Sequence, residues 1–114
     1  MHELSIAMSI VDLAQEEAES RGVRVLAVHL RLGPLSGVVS EALRGSFEIA
    51  RTGTALEQSR LVIEETPIVI LCPKCDSRRT VASMQWMRCP ECGTPVRDVL
   101  EGADLEVTAL EVEP

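Results

Sequence analysis

The amino-acid sequence predicts an α+β fold: an α/β sandwich of two helices on a three-stranded mixed sheet, with a cysteine-rich module inserted. Three observations predict it. They are an amphipathic helical pattern near the start, segments that alternate apolar and polar residues, and two Cys-x-x-Cys pairs between the second and third of those segments. At 114 residues, the chain is long enough for one such core and a small appendage.

The first helix is predicted over residues 3–20, where apolar side chains recur at steps of three and four. Gly22 follows as a stop, because glycine adopts the left-handed conformation that ends many helices. The buried side of this helix is predicted to consist of Leu4, Ala7, Met8, Val11, Ala14 and Ala18.

The second helix is predicted to begin at Ser40, an acceptable N-cap, and to run to about Arg51. Gly45 weakens it by about 1 kcal/mol relative to alanine, which suggests a position of close packing. Its buried side is predicted to consist of Val39, Leu43, Phe47 and Ala50.

Three strands are predicted, over residues 23–32, over residues 61–71 with an interruption at Pro67, and from Leu105 to the end of the chain. His29 falls on the polar side of the first strand and is interpreted as an ordinary surface residue. We expect the second and third strands to be antiparallel neighbours. The connection between the first and second strands contains a helix and is long enough for a right-handed crossover that would make these two strands parallel.

All four cysteines lie in two matching turns, Cys72-Pro73-Lys74-Cys75 and Cys89-Pro90-Glu91-Cys92, with thirteen residues between them. A two-residue gap lets both thiolates of a turn reach one metal ion, and two such turns complete a tetrahedral shell. Gly93 follows the second turn, where a positive φ is often needed. The pattern favours a structural zinc site, closed to catalysis, in a zinc-ribbon module.

Other interpretations of the cysteines are weaker. Disulfides would suit a secreted chain, but His2 and Glu3 stand where a signal peptide would carry basic residues. A redox dithiol would use one pair and leave the other idle, and spacing alone does not distinguish iron from zinc. The sequence therefore predicts a zinc-binding domain over residues 71–100 and an α/β domain over residues 1–70 plus 101–114.

Composition excludes several classes of function. The net charge of −7 argues against nucleic-acid binding, and Phe47 and Trp86 are the only aromatic residues. No apolar run approaches the roughly 20 residues of a membrane-spanning helix, so a cytoplasmic protein is predicted. No nucleophile–base pair, phosphate-binding loop or paired catalytic carboxylates stand out, and an enzyme is not expected.

The amino terminus is a second possible metal site. The α-amine of Met1, the amide nitrogen of His2 and the His2 imidazole can close two chelate rings around one ion. Tetragonal nitrogen ligation is characteristic of Ni(II) or Cu(II). Glu3 can add its amide nitrogen or its carboxylate. An ordinary histidine before a helix, with Glu3 complementing the helix dipole, explains the same residues.

The start Met1-His2-Glu3-Leu4-Ser5, the segment Gly33-Pro34-Leu35-Ser36-Gly37-Val38 and the cysteine spacing resemble the HypA/HybF family of hydrogenase maturation proteins. The resemblance extends through Gly102-Ala103-Asp104-Leu105 in the last strand and spans the whole chain. It implies a nickel metallochaperone that delivers Ni²⁺ to the large subunit of [NiFe]-hydrogenase with the GTPase HypB. Some members also serve urease. A monomer or weak homodimer is expected.

The resemblance also implies roles for individual residues. His2 is the implied nickel ligand, with the Met1 amine and the Glu3 backbone in support. The position at which some members carry an acid before the second helix is Ser40 here, with Glu41 beside it. The implied zinc ligands are Cys72, Cys75, Cys89 and Cys92.

Two other functions remain open at this point. A zinc-ribbon adaptor would dock a protein partner without transferring metal. A small dithiol oxidoreductase would cycle one Cys-x-x-Cys pair.

Overall fold

The computed structural model describes residues 2–114, which form two compact units. The first unit contains the residues up to Arg31 together with Val38–Glu64 and Glu106–Pro114. The second contains Leu32–Gly37 and Glu65–Leu105. No helix within residues 2–114 is both long and apolar enough to cross a membrane.

Residues 2–114 contain two α-helices and six strands, with a short 3-10 turn at Pro34–Ser36. In chain order the elements are α1 (Glu3–Arg21), β1 (Arg24–Leu32), α2 (Ser40–Arg51), β2 (Arg60–Glu65), β3 (Ile68–Cys72), β4 (Ser77–Val81), β5 (Val99–Glu101) and β6 (Leu105–Glu113). The predicted domains have different bounds from the compact units, because β3 pairs with strands of the cysteine module.

The sheet of the first unit has the order β2–β1–β6. Arg24, at the start of β1, forms an ion pair with Glu113 at the end of β6. Arg31, near the end of β1, forms one with Glu106 near the start of β6, at 3.3 Å. These pairs mean that β6 runs antiparallel to β1.

Strand β2 runs parallel to β1. Ser59, just before β2, donates a hydrogen bond from Oγ to the carbonyl of Val25 at 2.6 Å. At the other end of both strands, Arg31 approaches Glu64 at 3.8 Å. The predicted three-stranded mixed sheet is therefore confirmed, as is the α+β class.

The order of the strands differs from the prediction. We expected the second and third predicted strands to be neighbours, but β1 lies between β2 and β6. The chain breaks at Pro67, as predicted, yet the two halves join separate three-stranded sheets. Proline has no N–H to donate, so the ladder of β2 ends before it.

Helix α1 ends as predicted, because Gly22 follows it with a φ of 65°. Ala7, Val11, Ala14 and Ala18 are buried, as predicted, but the rest of the buried face differs from the prediction. Leu4 and Met8 are exposed, while Glu3 and Ile10 are buried. The period of 3.6 residues allows several stripes, and the tertiary packing of α1, which contacts α2, selects one.

Helix α2 buries Leu43 and Phe47, as predicted, but Val39 is 61% exposed. The helix begins at Ser40, and Val39 rather than Ser40 takes the cap position, without a side-chain cap hydrogen bond. Apart from its chain neighbours and the backbone of its own helix, no described atom lies within 4 Å of the position of a Cβ on Gly45. The close packing suggested for Gly45 is absent.

The second unit is built on β3, which pairs antiparallel with β4 on one side and β5 on the other. Strands β4 and β5 were not predicted from the sequence. A small apolar cluster lies on this sheet, and two of the cysteines belong to it. Its buried members are Ile68, Ile70, Cys72, Val81, Cys89 and Val96.

Two glycines bring segments of the second unit into close contact. The N–H of Gly33 donates to the carbonyl of Asp104 at 2.8 Å, and the N–H of Leu35 donates to the carbonyl of Gly102 at 2.8 Å. A Cβ on Gly33 would collide with the backbone carbonyl of Gly102. Only glycine fits at residue 33.

Candidate metal centre

The two cysteine turns bring four sulfur atoms together. One ligand atom from each of the four cysteines lies within 4.8 Å of the other three. Two sulfur–sulfur contacts join one turn to the other, Cys72 to Cys92 at 3.6 Å and Cys75 to Cys89 at 3.9 Å. A tetrahedral Zn²⁺ with sulfur at about 2.3 Å requires sulfur atoms about 3.8 Å apart. The cluster has the size and chemistry of a tetrathiolate metal site.

The first turn joins β3 to β4. The N–H of Cys75 donates a hydrogen bond to the sulfur of Cys72, 3.4 Å away. This bond curls the turn around Cys72, the first cysteine of the pair. Asp76 then has a φ of 51°, the only positive φ of a non-glycine residue in the part of the chain that the structure describes. Aspartate tolerates this conformation better than most residues.

The second turn repeats this arrangement. Gly93, which follows Cys92, has a φ of 74°, as predicted, and its N–H donates to the carbonyl of Cys89 at 2.8 Å. An isolated bridge between Arg88 and Pro95 closes the base of the turn. Each Cys-Pro-x-Cys turn is thus followed by a residue in the left-handed region, and both turns direct their thiols inward.

The pKa values of Cys92 and Cys75 are shifted in opposite directions. A hydrogen bond from the hydroxyl of Thr94, 3.1 Å from the sulfur, and a backbone contact to Thr94 lower the pKa of Cys92 to about 6. A hydrogen bond with Cys92, together with burial, raises the pKa of Cys75 to about 12. A metal ion would replace these shared protons, because thiolates rather than thiols bind metal.

The reasoning from sequence missed two residues beside the cluster, Thr94 and Arg79. Burial alone would lower the pKa of the Arg79 guanidinium, but hydrogen bonding with the sulfurs of Cys89 and Cys75 raises it. The pattern that could have revealed Arg79 is the alternation of side chains along β4. Arg79 lies two residues before the buried Val81, so the two side chains share one face of the strand.

Two of the residues predicted for the second metal site, His2 and Glu3, are at the start of α1. His2 is partly exposed and directly precedes the helix, and its carbonyl accepts the N–H of Ile6 at 3.0 Å. Glu3 is 9% exposed, and its carboxylate accepts a hydrogen bond from the N–H of Val39 at 3.4 Å. Met1 lies outside the described residues.

The structure also describes the two residues at the start of α2 that the resemblance singled out. Ser40 is partly exposed and Glu41 is exposed, both at the start of α2. Within residues 2–114, the cysteine quartet is the only group of three or more histidine, cysteine, aspartate or glutamate side chains close enough to hold an ion. Among the residues that the structure describes, the geometry thus brings one full set of such ligands together, at the cysteines.

The fold and the cysteines define a class: a small α+β protein with a zinc-ribbon-like tetrathiolate centre. The profile of one family matches residues 1–112, and its description reads hydrogenase/urease nickel incorporation, metallochaperone, HypA. The chain belongs to the HypA family.

Curated relatives are similar to this chain over nearly the full length of both proteins. The hydrogenase maturation factor HypA of Roseiflexus sp. (strain RS-1) is 49% identical over 114 residues, which covers 99% of this chain and 93% of that protein. The factor of the same name from Chloroflexus aurantiacus (strain ATCC 29366 / DSM 635 / J-10-fl) is 49% identical over 112 residues, covering 97% of this chain and 98% of that protein.

Two solved structures have the same fold as this chain. A solution structure of a HypA protein superposes with a TM-score of 0.71 at 21% identity, covering 99% of this chain and 97% of that one. The solution structure of the Ni metallochaperone HypA from Helicobacter pylori superposes with a TM-score of 0.63 at 21% identity, covering 98% and 97%. The resemblance inferred from the sequence motifs is confirmed.

Proposed function

We propose that this chain binds Ni²⁺ at its amino terminus and delivers it during maturation of [NiFe]-hydrogenase, while zinc at the four cysteines stabilises the second unit. The observation that carries the proposal is the match of residues 1–112 to a family of nickel-incorporation metallochaperones. Such a function needs one site that releases metal and no catalytic machinery.

The proposed nickel ligands are nitrogen atoms. His2 supplies its imidazole and amide nitrogen, and Met1 supplies its α-amine. Glu3 supplies its backbone nitrogen, because its carboxylate is buried and already accepts the N–H of Val39. An all-nitrogen set suits the tetragonal geometry of Ni(II). Few ligands come from side chains, which favours transfer to a recipient.

The proposed metal at Cys72, Cys75, Cys89 and Cys92 is zinc. Four thiolates at these separations fit tetrahedral Zn²⁺ and leave no open coordination position for a substrate. When bound, the metal cross-links the two turns and holds the small apolar cluster of the second unit together. Both turns contribute to the cluster, whereas a redox dithiol would need only one.

The proposed partners follow from the same role. They are the maturation GTPase HypB and the large subunit of [NiFe]-hydrogenase, with urease maturation components as further recipients. We place the protein in the cytoplasm, where thiols stay reduced and available to metal. We propose a monomer or weak homodimer, with nickel in the domain of residues 1–70 plus 101–114 and zinc in residues 71–100.

Calorimetric titration with Ni²⁺ tests the proposal, using zinc-loaded protein with an untagged amino terminus. His2→Ala should weaken nickel binding strongly. His29→Ala is the matched control, because His29 is the other of the two histidines in the chain. An extension ahead of Met1 should also weaken binding. Equal nickel affinity of His2→Ala and the parent protein would refute the proposed site.

An adaptor role is the second candidate, and one observation favours it. Trp86 and Met84 in the second unit are 65% and 50% exposed. Exposed large apolar residues are common at protein-binding surfaces. Binding to HypB or to the hydrogenase large subunit that is unchanged by nickel, and is lost in Trp86→Ser, would support an adaptor rather than a carrier.

A further inference from the structure

The position of Arg79 on β4 directs its side chain toward the cysteine cluster. In the antiparallel pairing of β3 with β4, Arg79 lies opposite Ile70, and Ser77 lies opposite Cys72. Opposite residues share a face of a sheet, as do residues two apart on one strand. Arg79 therefore shares the face of Ile70, Cys72 and Val81, which are all buried in the apolar cluster.

The guanidinium of Arg79 has no carboxylate partner within the described part of the chain. Its Nε is buried and makes no hydrogen bond there. Its Nη1 makes one long hydrogen bond, to the carbonyl of Arg78 at 3.4 Å. The ionisable groups that interact with it are the thiols of Cys89 and Cys75. Arg79 is thus a partly exposed cation whose buried Nε has no acid beside it, and such a donor is stabilised by another source of negative charge.

The four cysteines supply that charge when they bind metal. Four thiolates around one divalent ion carry a net charge of −2, in a cluster where Cys72 and Cys89 are 0% and 1% exposed. Burying uncompensated charge is costly, and a cation nearby reduces that cost. Arginine remains protonated at every physiological pH, so its charge is permanent.

We propose that Arg79 is the outer-sphere cation of the tetrathiolate centre: its guanidinium lies against the sulfurs of Cys75 and Cys89, offsets the charge of the metal-bound thiolates and retains the metal. This inference rests on the zinc site proposed above. It assigns to Arg79 a positioning and charge-balancing role and not that of a ligand.

Zinc retention in three variants tests the role. Arg79→Met keeps an unbranched apolar side chain and removes the charge. Arg79→Lys keeps a charge but not the planar guanidinium. Arg78→Met is the matched control, because it removes one positive charge from the adjacent position of β4, where Arg78 is exposed and pairs with Glu101. The zinc affinity of each full-length protein is measured by competition with a metallochromic chelator.

Arg79→Met should bind zinc about 10- to 100-fold more weakly than the parent protein, the usual effect of removing an outer-sphere partner. Arg79→Lys should recover part of that loss, and Arg78→Met should lie within about twofold of the parent, because exposed ion pairs contribute little. In cobalt-substituted protein, the sulfur-to-cobalt charge-transfer band should move to longer wavelength in Arg79→Met, since uncompensated thiolates are oxidised more easily.

Two outcomes would overturn the inference. One is a zinc affinity of Arg79→Met equal to that of Arg78→Met, and the other is a charge-transfer band that does not move. A parent protein that binds no zinc would refute the proposed zinc site itself. Circular dichroism of the zinc-loaded variants separates loss of metal from loss of fold, because both α-helices belong to the first unit.

Discussion

The carboxylate of Glu3 accepts a hydrogen bond from the backbone N–H of Val39, 36 residues further along the chain, at 3.4 Å. This contact joins the first turn of α1 to the residue that caps α2. The first N–H groups of a helix have no partner inside it, and a carboxylate is a strong acceptor for them. Glu3 thus holds the segment next to His2 against the second helix.

Replacing Glu3 should therefore affect both stability and nickel binding. Glu3→Ala removes the acceptor, so we expect the Tm to fall by a few degrees and the proposed nickel affinity to decrease. Glu3→Gln keeps an acceptor oxygen and should lose less. Thermal unfolding and nickel calorimetry measure the two effects. Glu16→Ala, on an exposed position of the same helix, should change neither.

Two glycine substitutions should have opposite effects. Gly33→Ala places a Cβ against the backbone carbonyl of Gly102 and should destabilise the second unit by about 3 kcal/mol. Gly45→Ala adds a Cβ in open space within α2 and should stabilise the first unit by about 1 kcal/mol. Urea unfolding of each variant measures both changes. A Gly33→Ala protein as stable as the parent would contradict the close approach.

Metal removal should affect the two units unequally. Cys72 and Cys89 belong to the same buried cluster as Ile70 and Val81, so a chelator should abolish amide-exchange protection at Ile70 and Val81. Both helices lie in the other unit, and the circular dichroism of helices should change little. Excess zinc serves as the control and should restore protection. A collapse of the helical signal on chelation would contradict this prediction.

The pH dependence of stability should include a contribution from Glu111. Its carboxylate accepts the Nε2–H of His29 at 2.7 Å and approaches Arg60 at 3.4 Å. The hydrogen bond from His29 lowers the pKa of Glu111, an effect that the charges of His29 and Arg60 reinforce and burial opposes.

A carboxyl whose pKa is lower in the folded state stabilises the fold above its ordinary pKa of about 4.3, and that stabilisation is lost as the pH falls through the lowered value. Glu111→Gln should thus be slightly less stable than the parent at neutral pH and converge with it in acid. Urea titrations between neutral pH and acid measure the difference, with Glu48→Gln as the control. A difference that is constant with pH would exclude this linkage.

The local features were predicted correctly because short-range chemistry determines them. The end of α1 at Gly22 and the positive φ of Gly93 follow from the freedom of glycine. The break at Pro67 follows from the missing N–H of proline. The convergence of the four thiols was predicted from two-residue gaps, because such a gap sets the geometry of each turn.

The features that were wrong or missed all depend on contacts between distant segments. Periodicity places Leu4 and Met8 on a plausible apolar stripe, but in the folded protein Glu3 and Ile10 are buried instead. The alternating pattern of a strand does not indicate which other strand it pairs with. The central position of β1 and the separate sheet around β3 were therefore not predictable.

The sequence by itself determined the family, the two helices and the tetrathiolate turns, because motifs and helical periods are encoded within a few residues. Only the tertiary structure decided which strands pair, that the Glu3 carboxylate meets Val39, and that Arg79 shares a sheet face with Cys72. These relationships join residues that are remote in the chain. They depend on the register of strands and the rotation of helices, which arise from packing the whole fold.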